Sequence, residues 1–513
     1  MCREDNMRRP SITEGLSDAV EVARKQPTVA ETVRTEVRLL LELAVPTVFL
    51  SLGFCLSPLL TASYVGRKFG AVYLSGFTLA NLTGNLSTLS FLQGFYNASD
   101  TLSPQAFGAR NYKEVGLIAM RGFFASIIIL IPICLIMVPF IGPILIACGQ
   151  DPEAVVYTSK WYRIYSLSLP FYALYMVTWK FLSAQHVMKP LVYVLFFCCA
   201  CVLPLSLEIL TWLMGFLGSA VAFFIYQSSE AVLLLLFLWW KQPYEPRTWP
   251  GLGSWRQALS WEPLKTFFLL GLGGMLANTE WIFWEAQGLI VGTLGVTPLA
   301  VHTIPTQVIM ITFMPPYGIG VALSIRMGVT LSTNVRRAQA LVAGTIVASI
   351  LLFGFLTILM YAYRDFIFAV FTTDPDVLEG AHAIWVKVCL SNLNMSLFAV
   401  LAGIATGLGM QWTLGIVNCV SLFLVGIPAI YYFALVQGGG LQAAWTWINA
   451  PYVFMNIALS AAFIRKNWHD VSAEIQKREA MNLETELESQ SLLNVPVYGA
   501  MDERNGSTAT TKL

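Results

Sequence analysis

The chain has 513 residues, 56% hydrophobic and only 12% charged, with a mean hydropathy of +0.64. Soluble domains carry roughly a quarter charged residues, so a water-facing globule cannot absorb this much apolar surface. The formal net charge of +1 supplies neither the basic footprint of a nucleic-acid binder nor an acidic face for a polycation.

Residues 1–38 are polar, mix Arg and Lys with Glu, and hold no apolar run ending in a cleavage site. They read as a cytoplasmic N-terminal tail without a cleaved signal peptide. Apolar stretches then fall near 39–63, 71–96, 117–148, 157–181, 187–209, 212–240, 263–293, 298–325, 340–370, 382–406, 410–434 and 441–464. About twenty such residues cross a bilayer as a helix, because lipid offers no partner for an unpaired backbone N–H or C=O. The expected fold is an all-α polytopic membrane protein with twelve transmembrane helices in two pseudo-symmetric six-helix lobes, 39–240 and 263–466. The connection 241–262, rich in Pro, Gly and Trp, reads as a cytoplasmic linker. Nine cysteines (Cys2, Cys55, Cys134, Cys148, Cys198, Cys199, Cys201, Cys389, Cys419) sit mostly in apolar runs without metal or disulfide spacing, and read as small apolar fillers.

Cytoplasmic loops hold the excess of Lys and Arg. With the N-terminal tail inside, the inner loops hold Arg110, Lys113, Arg121, Lys189, Lys241, Arg247, Arg256, Lys265, Arg326, Arg336 and Arg337, against Arg67, Lys68, Lys160 and Arg364 outside. An even number of spans places both termini in the cytoplasm.

The two halves look alike. Asn111 in SPQAFGARNYKEV recurs as Asn334 in SIRMGVTLSTNVRRA, and Asp151 in GQDPEAV recurs as Asp374 in TTDPDVL; both pairs are 223 residues apart. Lys113 and Arg336 repeat the basic residue two places on. Duplication of an even, six-helix unit gives both copies one orientation, and predicts a pseudo-two-fold axis along the membrane normal with a cavity between the lobes.

Residues 467–513 turn polar and charged and are expected to be a disordered cytoplasmic tail. Within it ESQSLL (Glu488–Leu493) resembles an acidic dileucine sorting signal and YGAM (Tyr498–Met501) a tyrosine-based one. Used as such, they would direct the chain to an endosomal or vacuolar membrane.

An ionisable group within a span costs from about 2.5 kcal/mol upward, so it usually faces a cavity or a partner. The seventh span, GGMLANTEWIFWEAQGLIVG, holds Glu280 and Glu285 with Trp281 and Trp284 between them. At about 100° per residue, five positions turn the helix by roughly 140°, so the two carboxylates cannot share a face; a spacing of four groups Glu280 with Trp284 and Trp281 with Glu285. Desolvation disfavours a charged carboxyl, which then carries a proton until water or a cation arrives. Neighbouring rings favour an organic cation by about 0.5–2 kcal/mol. The bland alternative is a carboxyl that merely hydrogen-bonds a neighbouring helix.

Glu230, after Tyr226, Gln227, Ser228 and Ser229 in the sixth span, invites the same argument. Asp100, near Asn97 and Thr101, reads as a cap or the partner of a loop cation, and Asn85 as the better cavity residue of the second span. Asn81, Asn85 and Asn97 match glycosylation acceptors but lie inside a span or at its inner end, and are discounted. Pro132 and Pro139, and Pro305, Pro315 and Pro316, free backbone carbonyls where the third and eighth spans can bend. No Walker A loop, DFG, HExxH or GxSxG occurs, so ATP hydrolysis and hydrolytic catalysis have no residue set. No cofactor is implied; uphill transport would draw on a proton gradient, or on sodium.

Six ordered blocks carry a resemblance: DTLSPQAFGARNYKEV (100–115), GQDPE (149–153), FLSAQHVMKP (181–190), EWIFWE (280–285), MPPYGIGVALSIRMGVTLSTN (314–334) and LAGIATGLGMQWTLGIVN (401–418). Together they resemble the multidrug and toxic compound extrusion (MATE) family, in its eukaryotic branch. The resemblance implies two six-helix lobes, an outward V-shaped cavity, and exchange of an organic cation or other small solute for protons. It places cation and proton coupling on Glu280 and Glu285, puts Asn85 at the second-span asparagine of the motif, and has Trp281 follow the first glutamate. The bacterial branch's first-span Asp is absent from PLLTASYVG. Thr406, Val329-Thr330, Phe54 and Pro58 stand where the family usually carries Arg, Asn-Glu and glutamines, so substrate preference is expected to differ.

The leading reading is a secondary active antiporter, not an enzyme, exporting organic cations, xenobiotics or metabolites in exchange for protons by alternating access. Its partners are a small organic solute, a coupling ion and the lipid bilayer, not nucleic acid, and it is expected to act as a monomer in the plasma membrane or a vacuolar or endosomal membrane. The alternatives are a lipid-linked or metabolite flippase on a related duplicated scaffold, which needs a groove open to lipid and basic cavity residues, and an ion channel, with downhill flux independent of a counter-ion.

Overall fold

The computed structural model describes residues 29–493 apart from Gly149, Thr372 and Thr373, and among them there is no strand. Twelve membrane-length helical segments follow one another. The first three are Val29–Phe69, Ala71–Gly108 with a π-helical turn at Asn85–Leu89, and Tyr112–Ala147. The fourth is split into Pro152–Ser166 and Leu169–Ala184; the fifth, Lys189–Met214, carries a π-helical turn at Cys198–Val202; the sixth is Leu217–Lys241. The seventh is split into Trp261–Ala277 and Thr279–Gly292, and the eighth to tenth are Val296–Leu331, Val335–Ala362 and Pro375–Gly407. Gln411–Val436 and Gly440–Arg465 complete the set. Nine of these helices among the described residues are long and apolar enough to cross a membrane. The second, fourth and seventh complete the twelve, and they are the most polar or the interrupted ones.

Several boundaries differ from expectation. The first helix begins at Val29 rather than near 39, so part of the supposed tail is helical. Arg121 and Arg326, counted above as loop cations, lie within the third and eighth helices, where they pair with buried Glu114 and Glu36. The helices run past the apolar stretches: Glu36, Glu114 and Arg326 lie in those extensions, and Arg121 lies in the first turns of the third stretch. The linker is docked on the N-lobe: Arg121 Nε donates to Ala258 O at 2.9 Å, and Gln185 Oε1 accepts from Glu245 N at 3.0 Å.

The duplication is visible in the backbone. Asp151 and Asp374, 223 residues apart, each cap a helix N-terminus, accepting from Ala154 N and Asp376 N. Such caps satisfy amides that a helix start otherwise leaves unbonded. Two left-handed corners repeat at the same offset: His186 (φ 63°) with Gly409 (φ 72°), and Gly215 (φ 62°) with Gly438 (φ 71°).

The lobes meet where the first span crosses the eighth and the second crosses the seventh. A methyl added to Gly318 would touch Val48, and one added to Gly271 would touch Phe95. Each of those contacts maps onto the other under the 223-residue shift, as a two-fold axis requires. Small residues permit such close helix crossings in membranes. Polar bonds reinforce the seam: Thr101 Oγ1 donates to Thr406 O at 2.5 Å, Gln105 Nε2 to Gly407 O at 3.0 Å, and Arg326 makes two 2.8 Å bonds to the carboxylate of Glu36, which Arg337 also contacts. These cross-lobe contacts lie in the half of the molecule that holds the start of the first span at Val29 and the end of the twelfth at Arg465.

Over 468–493 the expectation of disorder is corrected by a helix, Trp468–Leu493; the rest of that stretch lies outside the described residues. Trp468, Val471 and Ile475 share one buried face, and burying residues such as Val471 and Ile475 contributes roughly 1.5–3 kcal/mol each. Ser472 Oγ donates to Leu331 O (2.8 Å), Arg478 Nη2 to Gln105 Oε1 (2.7 Å), and Glu479 accepts from Asn111 Nδ2 (3.0 Å), so the helix straps both lobes. Burial pushes the Glu479 carboxyl above its ordinary range, with Glu114 adding to the push against Arg478 and Asn111. ESQSLL forms the end of this helix, and YGAM lies outside the described residues.

Candidate functional site

The seventh span breaks at Asn278, where the backbone flattens to φ −80°, ψ 0° after the sequence GLGG (271–274). Thr279 Oγ1 turns back onto Leu276 O at 2.7 Å, and Glu280 opens the new helix in its first turn. The break sets Glu280 against a central cavity between the second span and the seventh, eighth, tenth and eleventh. Trp281, Phe313 and Tyr317 form its aromatic wall; Asn97, Asp100, Asn278 and Ser324 are polar lining residues.

Glu280 is buried, and its Oε1 accepts from Tyr452 Oη at 2.7 Å. Tyr452 Oη in turn accepts from Trp284 Nε1 at 2.8 Å. One phenol of the twelfth span thus orients both the carboxyl and the indole one helical turn above it. Asp100 lines the same cavity, and Lys180 of the fourth span donates to its Oδ2 at 2.7 Å, both side chains buried. A buried charge needs such a partner. Asp100 Oδ1 and Asn278 Nδ2 are buried at the cavity wall and make no hydrogen bond among the described residues.

The other sequence candidates separate. Trp281 lies edge-on to Phe313 (centroids 6.2 Å apart) and lines the cavity. Glu285 is exposed, one turn beyond Trp281 on the same helical face, and lines neither cavity described here. Asn85 is exposed at the start of a π-helical turn, its carbonyl accepting from Ser90 Oγ at 2.8 Å, and it too lines neither cavity. Glu230 lies in the N-lobe, in a second cavity with Phe54, Tyr172, Tyr175, Trp179 and Tyr226. Asp100 is corrected from cap or loop partner to cavity residue: its cation comes from a helix, not a loop. Tyr452 and Asn278 had no signal in the sequence beyond being polar residues in apolar segments.

A family model, MatE, matches residues 46–210 and 278–432, one stretch in each lobe. The chain belongs to the MatE family. It is a multi-pass membrane transporter rather than an enzyme. The MATE chain is similar to the multidrug and toxin extrusion protein 1 of Mus musculus, with 27% identity over 93% of this chain and 83% of the relative. An uncharacterized transporter of Schizosaccharomyces pombe is 29% identical over 87% of this chain and 83% of its own length. Its fold matches the crystal structure of the eukaryotic MATE transporter AtDTX14 with a TM-score of 0.79 at 21% identity, covering 87% of this chain and 100% of that one. In MATE terms, the N-lobe match ends before the sixth span that carries Glu230, and the C-lobe match begins at Asn278, at the break beside Glu280.

Proposed function

We propose that this MATE transporter exports small organic cations, xenobiotics or metabolites in exchange for protons, and that proton and solute compete for Glu280. The observation that carries the reading is a buried carboxyl on a cavity wall, held by a single phenol beside Trp281 and Tyr317. A carboxyl in that setting accepts a proton when the cavity is dry and a cation when one arrives, because only a compensating charge offsets its desolvation. The rings add quadrupole attraction for an organic cation. Asp100 is already neutralised by Lys180, which leaves Glu280 as the cavity's uncommitted acid.

Coupling then needs the two lobe arrangements to differ in their affinity for the proton, since a ligand shifts conformations only by its differential binding. Each pH unit of gradient supplies about 1.4 kcal/mol per proton exchanged. Both termini are assigned to the cytoplasm, which makes the sealed half of the seam the cytoplasmic one. Trp284 positions Tyr452, and Glu285, one turn outward of Trp281, lies on the approach of a cation; Asn85 would act at the outer half of the second span. The transporter works as a monomer in a plasma or endosomal-vacuolar membrane.

Uptake of a fluorescent organic cation into vesicles under an imposed pH gradient tests this. Glu280→Gln is expected to abolish gradient-driven uptake. Uptake that ignores the gradient in both proteins points to a channel and overturns the reading; substitution by a sodium gradient reassigns the coupling ion.

A further inference from the structure

The helix Trp468–Leu493 grips the two lobes unequally. Only Lys466 and Asn467 separate it from the twelfth span, and its first half bonds within the C-lobe. There Trp468 Nε1 donates to Phe463 O at 3.2 Å, Ser472 Oγ to Leu331 O at 2.8 Å and Gln476 Nε2 to Ser332 O at 3.2 Å. Leu331 and Ser332 close the eighth helix, where carbonyls have no partner within the helix. Arg478 lies about 15 Å along from Trp468, at a rise of about 1.5 Å per residue, and with Glu479 it reaches the N-lobe. Its Nη2 donates to Gln105 Oε1 at 2.7 Å, and Glu479 Oε2 accepts from Asn111 Nδ2 at 3.0 Å.

At this N-lobe end the two repeats part company. Asn334 accepts from Arg337 N and so caps the ninth span, whereas Asn111, its equivalent 223 residues earlier, makes no cap bond at the start of the third span and donates to Glu479 instead. Arg110, just before it, takes a left-handed turn (φ 65°) that Thr333 does not. For a residue with a side chain that conformation is costly, and it persists where surrounding contacts hold it. Duplication alone would leave the two corners alike; they differ where the helix docks. Gln105 carries the grip into the seam: its Oε1 takes Arg478, and its Nε2 donates to Gly407 O of the tenth span at 3.0 Å. Arg478 thereby fixes which way that amide points, and with it one of the cross-lobe bonds.

We propose that the helix is an arm hinged on the C-lobe, and that Arg478 and Glu479 hook it to the N-lobe and hold the cytoplasmic seam shut. Separation of the lobes there breaks the bonds to Gln105 and Asn111 and leaves those to Phe463, Leu331 and Ser332 intact. Arg478 and Glu479 are positioning residues: they bias the two lobe arrangements without touching solute or coupling ion. The proposal rests on the alternating-access half of the export reading and does not require proton coupling.

Pulsed electron resonance on the full-length protein tests it, with spin labels at the exposed Lys241 of the N-lobe, Arg336 of the C-lobe and Lys477 of the helix taken in pairs, and the native cysteines replaced. The double variant Arg478→Ala/Glu479→Gln loses two hydrogen bonds to charged groups in the shut arrangement alone. Its ratio of long to short distances is expected to rise at least tenfold over wild type for the pairs 241–336 and 241–477, while the 336–477 distance stays put. That unchanged distance also reports that the arm is folded and seated on the C-lobe. Glu474→Gln, on the exposed face of the helix, should alter none of the three. Distances in the double variant equal to those of wild type overturn the proposal, and so does a 336–477 distance that lengthens while 241–477 holds. Adding tetraethylammonium separates the two readings: a 241–336 distance that responds to the cation but not to the double substitution sinks the hook alone, and one that responds to neither sinks lobe rocking with it.

Discussion

A methyl placed on Gly274 would force the lobes apart at the seam. Built there, it lies 2.2 Å from Gly94 O and 3.0 Å from Asn97 Cβ, across the crossing of the seventh and second spans. Optimal carbon contacts begin near 3.5 Å, and the nearest obstacle is backbone, so the two helices must separate by on the order of 1 Å. Overpacking of this kind costs about 1–3 kcal/mol, and the cost falls on the arrangement in which the spans touch. Gly274→Ala should therefore move the equilibrium away from the sealed seam by roughly 5- to 150-fold. Spin labels at Lys241 and Arg336, both exposed and one on each lobe, report the change by pulsed electron resonance in a background with the native cysteines replaced. The variant is expected to populate longer distances than wild type, while Gly344→Ala, whose methyl would meet nothing within 4 Å, leaves the distribution unchanged. Identical distributions in Gly274→Ala and wild type would refute the claim that this crossing seals the lobes.

Other perturbations give equally definite outcomes. Tyr452→Phe strips buried Glu280 of its donor and leaves the half-buried Trp284 Nε1 without its acceptor; an unsatisfied buried polar group costs about 1–3 kcal/mol, so the melting temperature should fall and exchange should slow. Gly409→Ala meets only Thr101 Cγ2 at 3.7 Å, but its φ of +72° is strained for an L-residue, so a loss of about 1–2 kcal/mol is expected from the backbone alone, read as a lower melting temperature. For the helix Trp468–Leu493, the Glu479 carboxyl holds its proton more tightly docked than free, with burial the leading cause and Asn111, Arg478 and Glu114 facing it. The docked state then binds more protons, so docking strengthens as pH falls toward the ordinary carboxylate range and weakens as pH rises above it. Hydrogen exchange over residues 468–482, corrected for intrinsic rates, should show more protection at pH 5 than at pH 7.5, and Glu479→Gln should remove the difference.

What the sequence disclosed follows from what local physics controls. The apolar stretches located the helices, since lipid imposes backbone satisfaction within each segment. Asp151 and Asp374 disclosed the duplication because both are helix caps, a role set by neighbouring residues. The alternation of Glu280 and Trp284 with Trp281 and Glu285 follows from helical geometry, and the structure puts the first two on Tyr452 and Trp281 on the cavity. Tyr452 and the Asp100–Lys180 pair were not legible, because each depends on contacts between residues 80 to 172 positions apart. The helix after Lys466 was hidden by its polar composition, although Trp468, Val471 and Ile475 already had helical spacing. Asn85, a polar residue in an apolar segment, is exposed and lines neither cavity.

The most direct test is the proton count when solute binds. Titration with an organic cation in buffers of different ionisation enthalpy should show close to one proton released per cation near neutral pH, and Glu280→Gln should abolish the release. Release that survives in the Glu280→Gln protein, or cation binding with no release when Glu280 is intact, would contradict competition between proton and solute at this carboxyl.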